Sequence, residues 1–381
     1  MVDKKRIYYT YKSIEAYDKY DDDVRKIIQD DTAQDIWICN RALPPTCYPP
    51  PLSEECIKKL KELSHDVVVH EIEAGYSLAL SGQTEIGTRP MVAFGSSGII
   101  FRDSCNDTEV LKCPLRHDLS KCSEETALSM REEETFSSMS MEREKLIYQS
   151  LPKHRDVLDC LDITENGIRF PYMRNGNLRD CIRKNHAHVD DTTKDTWVRN
   201  AISAVQFIHS HSVIHGDISA RNFLLADDLS LKLCDFAGSG IGDMPPLVAE
   251  EDRYQLSPES PRSIQTDLFA LGCLIFEIVV GSRPYEEISD DDWEVIAHNY
   301  SRGVFPPVEG IRYGDIIHSC WTSRYTKADQ ILVDIESVSH GGSKHGVHLL
   351  SVVLNLPKPA LVSLGMLPVC VILVCFYRKH W

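Results

Sequence analysis

The 381-residue sequence predicts an α+β protein of two lobes, a small β-rich lobe followed by a larger helical one. Three observations carry this. Short β-like runs with a glycine cluster begin at Met91. In the second half Val198, Ile202, Val205 and Ile208 fall on one helical face, and Leu268 to Val280 is apolar nearly all round, the pattern of a helix buried on every side. Two such lobes imply a cleft between them.

Before the lobes, residues 1–85 read as an accessory region. It opens with an acidic, Tyr-rich stretch and is interrupted by Pro44, Pro45, Pro49, Pro50 and Pro51, a run that resembles a stiff linker. After it, Ser53 begins a segment with helix-start chemistry and an apolar stripe at Leu52, Cys56, Leu60 and Leu63, which predicts a short docked helix. The lobes occupy residues 86–340. Residues 341–381 form a tail in which Ala360–Tyr377 is eighteen residues without a charge, followed by Arg378 and Lys379. That run is a candidate membrane span, slightly short and broken by Pro368, so a tail anchor and an undocked segment are both open.

Apolar and charged fractions of 43% and 26% are those of an ordinary globular protein with a real core. A formal net charge of −16 disfavours a nucleic-acid partner, which needs clustered Lys and Arg. The thirteen cysteines include scattered Cys39, Cys47, Cys56, Cys105, Cys113 and Cys122 with no C-x-x-C pair, so neither zinc nor a disulfide framework is expected. With no apolar leader and no glycine at position two, free thiols in a reducing cytoplasm are the expectation.

The chemistry-bearing residues cluster in two loops. His215-Gly-Asp217-Ile-Ser-Ala-Arg-Asn222 is followed by a short apolar run, and Leu231-Lys-Leu-Cys-Asp235-Phe-Ala-Gly238 comes next. These resemble the catalytic loop H-R-D-x-x-x-x-N and the D-F-G loop of the eukaryotic protein kinase superfamily, in a tyrosine-kinase-like form also met in fungal protein-kinase-domain proteins. The resemblance implies ATP and Mg²⁺ as cofactors and a protein substrate. It makes Asp217 the group that orients the accepting hydroxyl, and Asn222 and Asp235 the metal ligands.

Other motifs fall in the family's order. Ala93, Gly95, Ser96, Ser97, Gly98 and Ile100 resemble the loop that covers the ATP phosphates, where small residues let backbone N–H groups approach. Lys112 matches the ATP-anchoring lysine, with Glu144 as its expected ion-pair partner and Glu142 as the rival. Ile168 to Leu178 resembles the segment joining the lobes: Phe170 is at the gate of the adenine pocket, and Pro171 and Met173 supply backbone contacts to the base. Pro171 loses nothing essential, because only its carbonyl is needed there. Leu256-Ser-Pro-Glu259 resembles the A-P-E end of the activation segment, Asp267 the aspartate that braces the catalytic loop, and Cys320-Trp321 the final helical subdomain.

Departures are equally informative. Gly216 replaces the arginine that in many kinases meets an activation-loop phosphate, so dependence on that phosphate is not expected. Ala93 and Ala237 stand where the family has glycine, with Gly238 as an alternative hinge. Ala328 occupies roughly the place of the arginine that pairs with the A-P-E glutamate. Ser219-Ala220-Arg221-Asn222 resembles the tyrosine-kinase loop, which leaves Ser/Thr against Tyr open. Two competing readings are a pseudokinase scaffold without turnover and a small-molecule phosphotransferase of the aminoglycoside or choline kinase type. The latter lacks the A-P-E segment and the Asp267 helix.

Overall fold

Alternation builds the first sheet: Ile7, Tyr9 and Tyr11 are buried while Tyr8 and Thr10 between them are only half-buried. In the computed structural model the described residues are 4–5, 7–32, 38–39, 47–50, 52–71, 91–103, 106–117 and 124–340. The N-terminal region runs β1 (Lys4–Lys5), β2 (Ile7–Tyr11), α1 (Ile14–Thr32), β3 (Ile38–Cys39), β4 (Cys47–Tyr48), β5 (Leu52–Ser53), α2 (Glu54–Leu63) and β6 (Val67–Glu71). Strands β3-β4-β2-β6 form one antiparallel sheet and β1 pairs with β5. Val24 and Ile28 of α1, one turn apart, close over Tyr9, Leu52, Cys56 and Leu60 in a separate small core.

The helix expected after Ser53 is α2, with the Ser53 hydroxyl accepting from the Cys56 N–H as its N-cap. Of the proline run, only Pro49 and Pro50 are among the described residues. Pro49 and Pro50 lie between β4 and β5, inside the N-terminal unit, where prolines end one short strand before the next begins. The free-thiol expectation also needs correcting, since Cys47 is disulfide-bonded. On β3, Cys39 is its cross-strand register partner; linear spacing does not reveal pairing across an antiparallel ladder. Cys56, Cys113, Cys160, Cys181, Cys234, Cys273 and Cys320 are free.

The small lobe contains β7 (Met91–Gly95), β8 (Gly98–Arg102), β9 (Glu109–Cys113), α3 (Glu124–Ser150), β10 (Asp162–Thr164) and β11 (Gly167–Pro171). Its five strands form an antiparallel sheet in the order β10-β11-β9-β8-β7. The large lobe follows with α4 (Leu178–Asn185), α5 (Asp191–Ser210), β12 (Val213–Ile214), β13 (Phe223–Leu225), β14 (Leu231–Leu233), β15 (Gly240–Ile241), α6 (Ile264–Val280), α7 (Trp293–Ser301), α8 (Gly314–Trp321) and α9 (Ala328–His340). The predicted stripe Val198, Ile202, Val205 and Ile208 is fully buried on α5, and α6 is buried from Thr266 to Ile278. Both join Trp321 and Cys320 of α8 in one core. This is the bilobal α+β fold the sequence predicts.

Among the described residues no helix is long and apolar enough to cross a membrane. The candidate span 360–377 lies outside the described residues, as do Pro44, Pro45, Pro51, Cys105 and Cys122.

Candidate active site

Strand alternation aims Lys112 inward. On β9 its neighbours Leu111 and Cys113 enter one core cluster and Val110 another, while Lys112 itself faces the gap between the lobes. Its ammonium donates to Glu144 at 2.6 Å and to Asp235 at 2.8 Å, with the lysine and Glu144 both almost fully buried. Glu142, the rival, is exposed and pairs with Lys145 at 2.8 Å, since it lies half a turn away on α3. Burial alone would pull the Lys112 ammonium down, but Asp235 and Glu144 more than offset this and hold it above the usual lysine range. The cation therefore stays charged.

Glu144 also anchors the next loop, because its other carboxylate oxygen accepts the Phe236 N–H at 3.3 Å. Phe236 is buried, with its ring edge-on to Tyr148 at 5.2 Å and tilted against His215 at 5.4 Å. Helix α3 is thus tied to the 235–237 loop by charge on one side and by aromatic packing on the other. Arg143, next to Glu144, donates to the carbonyls of Ser239 at 2.7 Å and Pro245 at 2.9 Å. Asp235 takes a left-handed backbone with φ 69°, a sparsely populated conformation for a non-glycine residue.

On the loop 215–222, Asn222 donates to the Asp217 backbone carbonyl at 2.7 Å and to its Oδ2 at 2.9 Å. Asp217 Oδ1 has no hydrogen-bond partner among the described residues. Burial pushes this carboxyl up to about 7, although Arg221 opposes the rise. Asp267, at the start of α6, accepts the N–H groups of His215 at 2.8 Å and Gly216 at 2.9 Å, so the helix carries the loop. Gly216 has φ +74°, and a Cβ there would lie 3.1 Å from Pro246. Backbone and neighbour both disfavour a side chain such as arginine there.

A cavity of about 370 Å³ opens in front of Lys112, lined by Ala93, Gly95, Ser97, Gly98, Ile100, Phe170, Pro171 and Met173 among others. Ser96 differs: it is exposed at the tip of the β7–β8 turn and does not line the cavity. Asp235 lines it, whereas Asp217 and Asn222 sit on the adjoining loop. Gly238 is held by close packing, since a Cβ would meet Val248 at 2.3 Å, and it lacks the positive φ of a hinge. Glu259 is exposed and its carboxylate joins no ion pair among the described residues, as Ala328 in the arginine's place implies, and Ala328 is buried. The acids that fasten this segment come earlier: Glu250 pairs with Arg262 at 2.7 Å, and Glu251 with Arg179 at 2.6 Å and Arg221 at 2.9 Å. Burial would raise the Glu251 carboxyl, but Arg179 and Arg221 hold it at about 2.

A family model described as protein tyrosine and serine/threonine kinase matches residues 103–330, more than half of the chain. The chain belongs to the protein kinase family. Among curated kinases, a serine/threonine-protein kinase PDK1 of Cryptococcus neoformans is 30% identical over 129 residues, covering 30% of this chain and 10% of that protein. An Aurora kinase of Eremothecium gossypii is 32% identical over 131 residues, covering 32% of this chain and 35% of its own length. The human 3-phosphoinositide-dependent protein kinase 1 is 28% identical over 123 residues, covering 30% and 22%. This chain therefore spans only a minor part of the relatives it matches.

Sequence reasoning on this kinase chain missed Arg143, Tyr148, Arg179, Glu250 and Glu251. Charged residues within or beside apolar runs, such as Arg179 after Leu178, were the available signal.

Proposed function

We propose that this kinase-family chain transfers the γ-phosphoryl group of ATP, with Mg²⁺, to a protein hydroxyl. The observation that carries the proposal is the Lys112 ammonium held between Glu144 and Asp235 at the back of the interlobe cavity. A degenerate scaffold has no need to keep a buried cation fixed by two carboxylates, which is costly unless each charge is matched.

The residues fit a hard cation. Asp235 and Asn222 offer oxygen donors, and among the described residues there is no cluster of three or more His, Cys, Asp or Glu that would hold a softer metal by itself. Asn222 and Asp235 would hold Mg²⁺, whose remaining positions fall to phosphate oxygens and water. Bound there, the ion supplies charge neutralisation at the phosphates. In this reading Lys112 orients the α- and β-phosphates and the backbone of Ala93–Ile100 covers them. Ile100, Val110, Phe170 and Leu224 enclose the adenine, and Pro171 and Met173 contact it through the backbone. Asp217, with one unbonded oxygen, aligns the attacking hydroxyl. Catalysis is then positioning and electrostatics.

The relatives named as serine/threonine-protein kinases support Ser/Thr acceptors, and Ala220-Arg221 supports Tyr. The helix α6 bearing Asp267 favours the protein kinase reading over a small-molecule phosphotransferase. Labelled ATP, mixed peptides and phosphoamino-acid analysis test all of this together. Label transfer that is abolished in Asp217→Asn, with nucleotide binding retained, is the expected result; transfer that survives the substitution refutes the assignment.

A further inference from the structure

Helix α1 has two faces. Ala16, Val24 and Ile28 pack into the small N-terminal core, whereas Tyr17, Asp21 and Arg25, at successive i, i+4 positions, share the neighbouring face. From that face Tyr17 and Arg25 line the same interlobe cavity as Lys112 and Asp235. Both are held from behind: Asp21 accepts from the Arg25 guanidinium at 2.6 Å and from the Tyr11 hydroxyl at 2.9 Å, and the Tyr17 ring packs edge-on to Tyr11 at 5.3 Å. In front, the Arg183 guanidinium of α4 lies over the Tyr17 ring, 5.1 Å from its centre. The N-terminal unit also meets the small lobe, where β3 lies against β7, and Val92, Ala93, Phe94 and Gly95 of that strand line the cavity too.

Helix α4 follows the segment joining the lobes directly, and Gly176, Asn177 and Asp180 at that junction share the lining with Tyr17 and Arg25. The α1 wall therefore stands at the end of the cavity where Pro171 and Met173 are read to hold the base. About 370 Å³ remains open in front of it, within the range of small-molecule sites, so α1 bounds the space rather than filling it. We infer that the N-terminal unit completes the nucleotide site: Tyr17 and Arg25 form its outer wall, and a bound nucleotide leaves when α1 parts from α4. The pair supplies ring area and hydrogen-bond donors to the base and sugar rather than a phosphate contact, because Asp21 already neutralises Arg25. Such coupling is reciprocal, so whatever factor α1 adds to nucleotide affinity, the nucleotide adds to the docking of α1. The inference rests on the nucleotide-binding half of the kinase reading and not on turnover.

The test uses the full chain and Mg·ADP. Hydrogen exchange of residues 14–32 with and without Mg·ADP reads the docking of α1, and surface plasmon resonance reads the association and dissociation rates of the nucleotide. In the wild type Mg·ADP should slow exchange across 14–32. Tyr17→Ala should abolish that protection and raise Kd roughly tenfold, equivalent to about 1.4 kcal/mol, through the dissociation rate. Tyr17→Phe should keep both, because the ring and not the hydroxyl meets Arg183. If Tyr17→Ala also speeds exchange in β2 and β6, Arg183→Ala decides, since it removes the ring's partner and leaves the N-terminal core intact; it should release α1 and speed dissociation in the same way. Nucleotide binding that leaves 14–32 unprotected overturns the inference, as does a dissociation rate unchanged in the deciding variant. A wild type that binds Mg·ADP as expected yet transfers no label refutes the kinase reading alone, and one that binds no nucleotide refutes both.

Discussion

Burial holds the Asp217 carboxyl up at about 7, and its Oδ1 meets no hydrogen-bond donor among the described residues, so the ionised form is poorly solvated. Two consequences follow from the direction of that shift. In the role proposed for Asp217 the ionised form is the active one, so kcat/KM measured between about pH 5.5 and 9 should climb roughly tenfold per unit and level off above about 7. A flat profile would show that Asp217 ionises elsewhere. For stability the sign is opposite. The unfolded carboxyl ionises near 4, so the native state is penalised progressively as pH rises from about 4 to about 7, and fully above it. Asp217→Asn removes this penalty. This variant should be more stable than wild type at pH 8 by roughly 1–2 kcal/mol, allowing for partial contact with solvent, and equal to it near pH 4. Denaturant unfolding at the two pH values checks this.

Lys112 is the reverse case, a charge whose removal leaves two others stranded. Lys112→Met leaves Glu144 and Asp235 facing each other without the cation between them. The expected outcome is loss of label transfer together with a destabilisation of about 3–5 kcal/mol in the absence of Mg²⁺, partly recovered when Mg·ATP is added. Thermal melts with and without Mg·ATP measure both. A variant as stable as wild type would contradict the picture of a tightly matched triad.

Elements rather than single residues decide whether the two loops stay in place, and Arg179 is the clearest instance. From the first turn of α4 it donates to Glu277 of α6 at 2.9 Å and 3.0 Å, to Glu251 at 2.8 Å and 2.6 Å, and to the Tyr254 hydroxyl at 3.0 Å. Arg221 of the catalytic loop meets the same Glu251. Arg179→Met should therefore cost about 3–5 kcal/mol in denaturant unfolding and free the 250–255 segment, seen as faster hydrogen exchange there. Arg179→Lys should rescue only part of this, because an ammonium cannot reproduce the fork. This network also marks where sequence reading stops. That Asp217, Asn222 and Asp235 lie on two neighbouring short loops was legible from their spacing. The α5 stripe and the buried α6 were legible from periodicity. Arg179, Glu251 and Glu277 are separated by 72 and 98 positions, and nothing local announces that they meet. The same holds for Cys47, disulfide-bonded although its spacing gives no sign of it, and for Glu250 and Glu251, which fasten the segment before Ser-Pro-Glu through Arg262, Arg179 and Arg221.

At the scale of the whole molecule, the contacts that hold the two loops come from both lobes. The ion pair from β9 to α3 is formed, Phe236 is packed inward, and α6 supports the loop through Asp267. In many kinases an arginine before the catalytic aspartate waits for a phosphorylated residue to order the segment that follows. Here Pro246 packs against Gly216, Val248 against Gly238, and Arg143 holds the carbonyls of Ser239 and Pro245, so neutral packing and backbone hydrogen bonds order that segment instead. Activity should accordingly be indifferent to phosphatase treatment of the purified chain, with kcat changed by less than about twofold. Gly216→Arg should not install a phosphate switch. It forces a side chain into the left-handed conformation and against Pro246, which should cost about 1–3 kcal/mol and lower turnover whether or not phosphate is present. Parallel assays of wild type and Gly216→Arg before and after phosphatase separate these outcomes. If phosphatase silenced the wild type, the segment's order would have to come from a phosphorylated residue, and the packing of Pro246 and Val248 would not be what keeps it in place.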